Sequence, residues 1–218
     1  MPGREDWEHV ALASDDDELR ERILTGFKSG KPFTPYTPTI ALPAGLDRAL
    51  DFGCGAGRNF PYLKTIASSV YGFDLPPMVE RCRRLAAVDI DVLADDWTTL
   101  REVRFDLIFA SLVLQHIEPE RAESYLADFA RMSPTVYLLT RTDSDFGTHV
   151  LDAVTSSGLF DAGSCVQVDH DPASHQLRVL GQKTIAEAAA DEGAHYEVLL
   201  RSRAFGAAGG RVEAGEVG

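Results

Sequence analysis

From residue 46 onward, short apolar runs alternate with stretches of helical character, and that alternation leaves the chain few folds. "LDRALDFG", "SVYGFD", "IDVLA", "RFDLIFASLV" and "TVYLLTR" read as strands, while "GRNFPYLKTIA", "PPMVERCRRLAA", "PERAESYLADFARM" and "SDFGTHVLDAVTSSG" read as helices. Strands separated by helices imply parallel βαβ units covered on both faces. The chain is therefore expected to form a doubly wound α/β domain. Its ligand belongs at the carboxyl ends of the strands, near the first turn from strand to helix. "DFGCGAGRN", residues 51–59, lies at that turn, with glycines at 53, 55 and 57.

The spacing of this loop separates three kinds of ligand. A dinucleotide fingerprint needs G-x-G-x-x-G, and the sixth position counted from Gly53 is Arg58. A P-loop needs G-x-x-x-x-G-K-[ST], and no lysine follows the glycines before Lys64. What remains is an acid, Asp51, two residues before three alternate glycines. An acid aimed into the loop suits a cationic ligand better than a phosphate.

With those residues in view, "ALDFGCGAGRN" resembles the first motif of the Rossmann-like (class I) S-adenosylmethionine-dependent methyltransferase superfamily. The resemblance implies that Asp51, Gly53, Cys54, Gly55, Gly57 and Asn59 lie under the methionine part of S-adenosylmethionine. It also implies that Asp74, at the end of strand two in "YGFDLPP" and followed by Leu75, holds the ribose hydroxyls. A carboxylate can accept from both vicinal hydroxyls. "VLADDW" places Asp95, Asp96 and Trp97 near the adenine, where Trp97 either stacks or packs. "FDLIFASLVLQHI" resembles the strand-four segment of the family, with Ser111, Gln115 and His116 as its polar positions. The family plan implies a mostly parallel seven-stranded sheet, for whose last two places "CVQVDH", "HQLRVLG" and "YEVLLRS" compete. The resemblance covers residues 46–141 well.

Outside this core, "SDDDELRERILTGF" reads as a helix with Ser14 as N-cap, and the prolines at 32, 35, 38 and 43 mark an extended connector. Residues 1–45 are expected to form a helical cap and connector, 46–203 the cofactor domain, and 204–218 a disordered Gly/Ala/Glu-rich tail. The net charge of −13 argues against nucleic acid as substrate, and no apolar run approaches the roughly 20 residues needed to span a bilayer. Three widely spaced cysteines suit a reducing cytoplasm, and the Ala-, Arg-, Asp- and Gly-rich usage suggests a bacterial source. The cysteine spacing argues against a zinc framework, and the His/Asp stretch at 168–175 reads as a hairpin loop more readily than as a metal site.

The expected reaction is in-line transfer of the sulfonium methyl to a small-molecule acceptor. His116 is a candidate general base, or else a cap of the next helix. Tyr36, with Phe33, either faces the ligand on the acceptor side or packs in the connector, and Arg141 is a candidate to pair with an anionic group on the acceptor or with Asp143 or Asp145 nearby. Two alternatives stay open. The same fold can expose another sulfonium carbon, giving cyclisation and methylthioadenosine. It can also serve as a partner-dependent macromolecule methyltransferase or a binding module. The oligomeric state is not legible.

Overall fold

The computed structural model describes residues 9, 12, 15, 18, 19, 37–86, 89–142, 146–170, 176–191 and 193–206. Its centre is one eight-stranded sheet. The strands are β1 (Leu46–Phe52), β2 (Ala67–Phe73), β3 (Val92–Ala94), β4 (Leu107–Ser111), β5 (Thr135–Arg141), β6 (Phe160–His170), β7 (Leu177–Gln182) and β8 (His195–Ser202). They lie in the order β3-β2-β1-β4-β5-β8-β6-β7. β1 to β5 pair in parallel, whereas β8 pairs antiparallel with both β5 and β6, and β7 with β6.

The expected α/β sheet is present, with eight strands where seven were expected. All three C-terminal candidates are strands. β8 takes the inner place between β5 and β6, and β7 folds back on the outer edge of β6 as the extra strand.

The helices are α1 (Phe60–Ile66), α2 (Pro76–Leu85), α3 (Trp97–Leu100), α4 (Pro119–Met132), α5 (Gly147–Ser157), α6 (Ile185–Ala189) and α7 (Arg203–Gly206). Proline begins α2 and α4 and stands in the first turn of α1, where its missing N–H costs nothing. α1 starts three residues later than "GRNFPYLKTIA" suggests, because Gly55 and Gly57 have φ of 56° and 78° and cannot join a right-handed helix. β4 stops at Ser111 for the same reason, since Leu112 follows it with φ 56°.

Alternation along the strands divides the core in two. Leu50, Phe52, Ile108, Ala110, Val136 and Leu138 face Leu126 and Phe129 of α4 and Leu151 and Val154 of α5. Ala49, Leu107, Phe109, Tyr137 and Leu139 face Phe60 and Leu63 of α1 and Cys82 of α2. Phe52 anchors the first layer, its ring 5.2 Å from Phe73, 5.3 Å from Trp97, 4.7 Å from Tyr125 and 4.9 Å from Phe129. Each such pair contributes about 0.5–1.5 kcal/mol beyond its buried area. Further out, Leu19 is fully buried against a small cluster of Ala56, Met78 and Leu85. Nearby, Asp15 Oδ1 accepts from the Glu18 N–H at 2.8 Å. Ser14, the expected cap, lies outside the described residues.

Candidate functional site

The carboxyl ends of β1, β2 and β4 surround a cleft of about 150 Å³. Its walls are Phe52, Gly53, Gly55, Phe73, Leu75, Met78, Leu112, Val113, Ile117 and Tyr125, and its polar groups are Asp74, His116, Glu118 and Arg121. The glycines are required by geometry as well as by conformation. Gly53 has φ 72°, and a Cβ there would lie 2.7 Å from Val113 Cβ. The turn after β4 is thus pressed directly onto the glycine loop.

That turn is held from several sides. The Leu112 N–H donates to Leu139 O at 2.7 Å, and Gln115 Oε1 accepts from the Arg141 N–H at 2.8 Å and from Thr140 Oγ1 at 3.5 Å. Leu112 keeps a left-handed backbone that costs a leucine about 1–3 kcal/mol, which persists only where the surroundings over-determine it.

Asp74 stands at the end of β2. Its Oδ2 accepts from the Gly55 N–H and its Oδ1 from the Leu75 N–H, both at 2.7 Å. Removal from water pushes its pKa up to about 6, against the pull of those two N–H groups. Asp51, at the end of β1, is fully buried. Burial pushes its pKa up to about 7, partly offset by Asn59 and the nearby Arg58. Asn59 Nδ2 donates to Asp51 Oδ1 at 3.1 Å and Oδ2 at 3.3 Å, while Asn59 Oδ1 is buried and accepts no hydrogen bond from the described residues. Asp51 and Asn59 thus form a buried polar pair beneath the glycine loop, outside the cleft lining itself, and acceptors such as a carboxylate and an amide oxygen fit an ammonium group.

Cys54 is buried beside Cys82, whose thiol, together with burial, raises the Cys54 pKa well above its ordinary value. That shift favours the neutral thiol, which suits a small residue under the loop better than a nucleophile.

The other expected residues divide. His116 lines the cleft, and the N-cap position of α4 belongs to Glu118, so His116 does not cap that helix. Gln115 is turned to β5, and Ser111 accepts from Arg58 Nη2 at 3.5 Å; neither lines the cleft. Trp97 packs instead of facing a ligand: its Nε1–H donates to Asp128 Oδ2 at 2.7 Å, and its ring meets Phe52, Phe73 and Tyr125 edge to face. Asp96 caps α3, accepting from the Thr98 N–H and from the hydroxyls of Thr98 and Thr99. Asp95 is exposed beside it, and both lie outside the cleft lining. Arg141 is half-buried at the end of β5, also outside that lining. Tyr36, Phe33, Asp143, Asp145 and residues 171–175 lie outside the described residues.

Sequence reasoning passed over Arg58, which is nearly buried between Asp51 and Ser111. Its signal was present, as the residue that breaks the dinucleotide spacing. Arg121 and Tyr125 were also missed. They are one helical turn apart on α4, with Arg121 Nη2 donating to the Tyr125 hydroxyl at 3.1 Å.

Residues 49–133 match the family model of a methyltransferase domain. Among solved structures, the N-methyltransferase NodS from Bradyrhizobium japonicum, in complex with S-adenosyl-L-homocysteine, is 16% identical with a TM-score of 0.50, over 72% of this chain and 79% of that one. A second structure of the same enzyme gives 16% identity and a TM-score of 0.51, over 73% of this chain and 87% of that one. A protein from Thermoplasma acidophilum is 15% identical with a TM-score of 0.50, over 94% of this chain and all of that one. No curated protein sequence matches the chain. The fold and the matched segment define a class I methyltransferase domain. The matched segment, residues 49–133, is thus a methyltransferase domain, whose activity is transfer from S-adenosylmethionine as cofactor.

Proposed function

We propose that the protein transfers the sulfonium methyl group of S-adenosylmethionine, in line, to a small-molecule acceptor in the cytoplasm. One observation carries this reading: a single cleft gathers Gly53 and Gly55, the Asp74 carboxylate and the turn at Leu112–His116. When bound, the cofactor supplies a methyl already activated on sulfur, so the chain's task is to hold, align and exclude water.

Asp51 and Asn59 Oδ1 receive the ammonium of the methionine moiety. Gly53, Gly55 and Gly57 let the backbone pass close beneath it. Asp74 accepts from the ribose hydroxyls, and the apolar walls of the cleft keep water out. His116 takes the acceptor's proton where the acceptor carries one at neutral pH. Arg141, at the carboxyl end of β5, pairs in this reading with an anionic group on the acceptor, and unchanged acceptor affinity in Arg141→Ala would remove that role. The chain's net charge of −13 supports a small acceptor over a nucleic acid.

The test is a thermal-shift comparison of S-adenosylmethionine, NAD and ATP, followed by incubation with candidate acceptors and identification of the nucleoside product. Stabilisation by S-adenosylmethionine alone and release of S-adenosylhomocysteine are expected. Methylthioadenosine as product would mean attack at another sulfonium carbon. Stabilisation by NAD and not by S-adenosylmethionine would overturn the reading.

A further inference from the structure

Glu197, on β8, is a fully buried carboxylate that the cleft does not use. It collects donors from two other parts of the chain. The Tyr137 hydroxyl donates to its Oε1 at 2.6 Å, and the Thr39 N–H donates to Oε1 at 2.9 Å and Oε2 at 3.0 Å. The Thr39 hydroxyl also donates to Oε2. A buried carboxylate is costly unless such donors satisfy it, so it marks a place where direction matters. An apolar contact would let residues 37–42 slide along the sheet. A carboxylate that binds one residue's N–H and hydroxyl together fixes the register to that residue.

The position of this anchor ties it to the site. Glu197 lies opposite Leu139, and Leu139 lies opposite Ser111. Ala110, one residue before Ser111, lies opposite Phe52, one residue before Gly53. Gly53, Ser111 and Glu197 therefore share one level, at the carboxyl ends of β1 and β4. Ile40, next to Thr39, is buried in the same apolar cluster as Cys54 of the glycine loop and Phe60 of α1. The strap of residues 37–42 thus spans from β8 to the layer that backs the loop.

We propose that Glu197 is a positioning residue, which fixes the 37–42 strap across the carboxyl edge of the sheet and so keeps the glycine-loop side of the cofactor site closed. This rests on the reading that the cofactor occupies the cleft. Ordering of the strap and binding in the cleft are then coupled, since each favours the same arrangement.

Hydrogen exchange of the 37–42 amides, with and without S-adenosylhomocysteine, tests this in the full chain, alongside calorimetric affinity for the same ligand. In the wild type the ligand is expected to slow exchange at 37–42 about tenfold or more. Glu197→Leu should abolish that slowing and weaken the ligand about tenfold. Thr39→Val, which keeps the carboxylate and the fold, should reduce both effects, and Glu197→Gln, whose amide oxygen still accepts from Thr39, should retain them. A purely structural role would lower the melting temperature of Glu197→Leu and leave the ligand-induced slowing intact, which overturns the proposal. Equal loss in Glu197→Gln and Glu197→Leu overturns it too. Failure of the wild type to bind S-adenosylhomocysteine refutes the cofactor reading itself. Binding that leaves 37–42 unchanged refutes only the role of Glu197.

Discussion

The centre of the sheet and its β7 edge are built to different standards. β4 is buried at every residue and β5 at all but the last, whereas no residue of β7 is buried. Val179 and Leu180, adjacent on β7 and so pointing to opposite faces, are both about half exposed, at 52% and 54%. Helices sandwich the parallel strands, and the cleft opens where those strands end. Tight packing and the site therefore coincide. Residues that position a ligand must themselves be locked by neighbours, and β7 has few neighbours to lock it.

Substitutions can sharpen this contrast. The largest effect is expected at matched glycines. In Gly53→Ala the new Cβ meets Val113 in a left-handed backbone, costing about 2–4 kcal/mol by crowding and strain. Gly181→Ala on β7 meets nothing within 4 Å and should change stability by about 0.5 kcal/mol or less. Chemical denaturation of the two variants measures both, and equal losses would erase the distinction between the centre of the sheet and its β7 edge.

Next in size is Asp74→Ala. Losing the carboxylate that lines the cleft should weaken S-adenosylhomocysteine about 100-fold by calorimetry, with the sheet intact by circular dichroism.

A smaller effect is expected from pH. Folded Asp51 holds its proton up to about 7, against an ordinary value of 3.8. Between those values the folded state binds more protons than the unfolded one. The stability Asp51 contributes to the ligand-free protein is therefore complete below pH 3.8 and is lost as pH rises to about 7. Cofactor affinity should run the other way, rising by at most about tenfold per pH unit until Asp51 is ionised near 7 and then levelling. Asp74, pushed up to about 6, steepens the rise at its lower end. Asp51→Asn should flatten the part of both profiles near 7, and an unchanged affinity profile in that variant would remove Asp51 from the ligand site. The smallest effect belongs to Leu180→Thr, expected to leave both melting temperature and cofactor affinity unaltered within about 0.5 kcal/mol.

What the sequence made legible was local. Pro119 opens α4, and the helix and β5 fall on the residues read as "PERAESYLADFARM" and "TVYLLTR". The glycine loop and Asp74 were visible for the same reason, because each follows its own strand directly. The edges of elements were displaced where left-handed backbone intervened, at Gly55, Gly57 and Leu112. Only the glycines announce such conformations. Trp97 could not be placed because its partner Asp128 lies 31 residues away. The bond between Thr39 and Glu197 spans 158 residues, and no spacing rule reaches that far. β7 was legible as a strand candidate, but not as an eighth strand, because which strands pair across the antiparallel end depends on contacts that local pattern does not carry.

The place of β8 between β5 and β6 also sets an order of assembly. Strands β1 to β5 can pair as they are made, but the β6–β7 hairpin has no partner in the sheet until the chain has been synthesised through residue 202. Until then β5 keeps an open edge, and β6 and β7 stand apart as a two-stranded ribbon that is marginal alone. The final strand therefore joins two pieces that cannot meet without it, and its pairing is the long-range, slow-forming kind. Because Glu197 rides on that strand, the half that carries the glycine loop takes shape first, and the anchor for residues 37–42 arrives last.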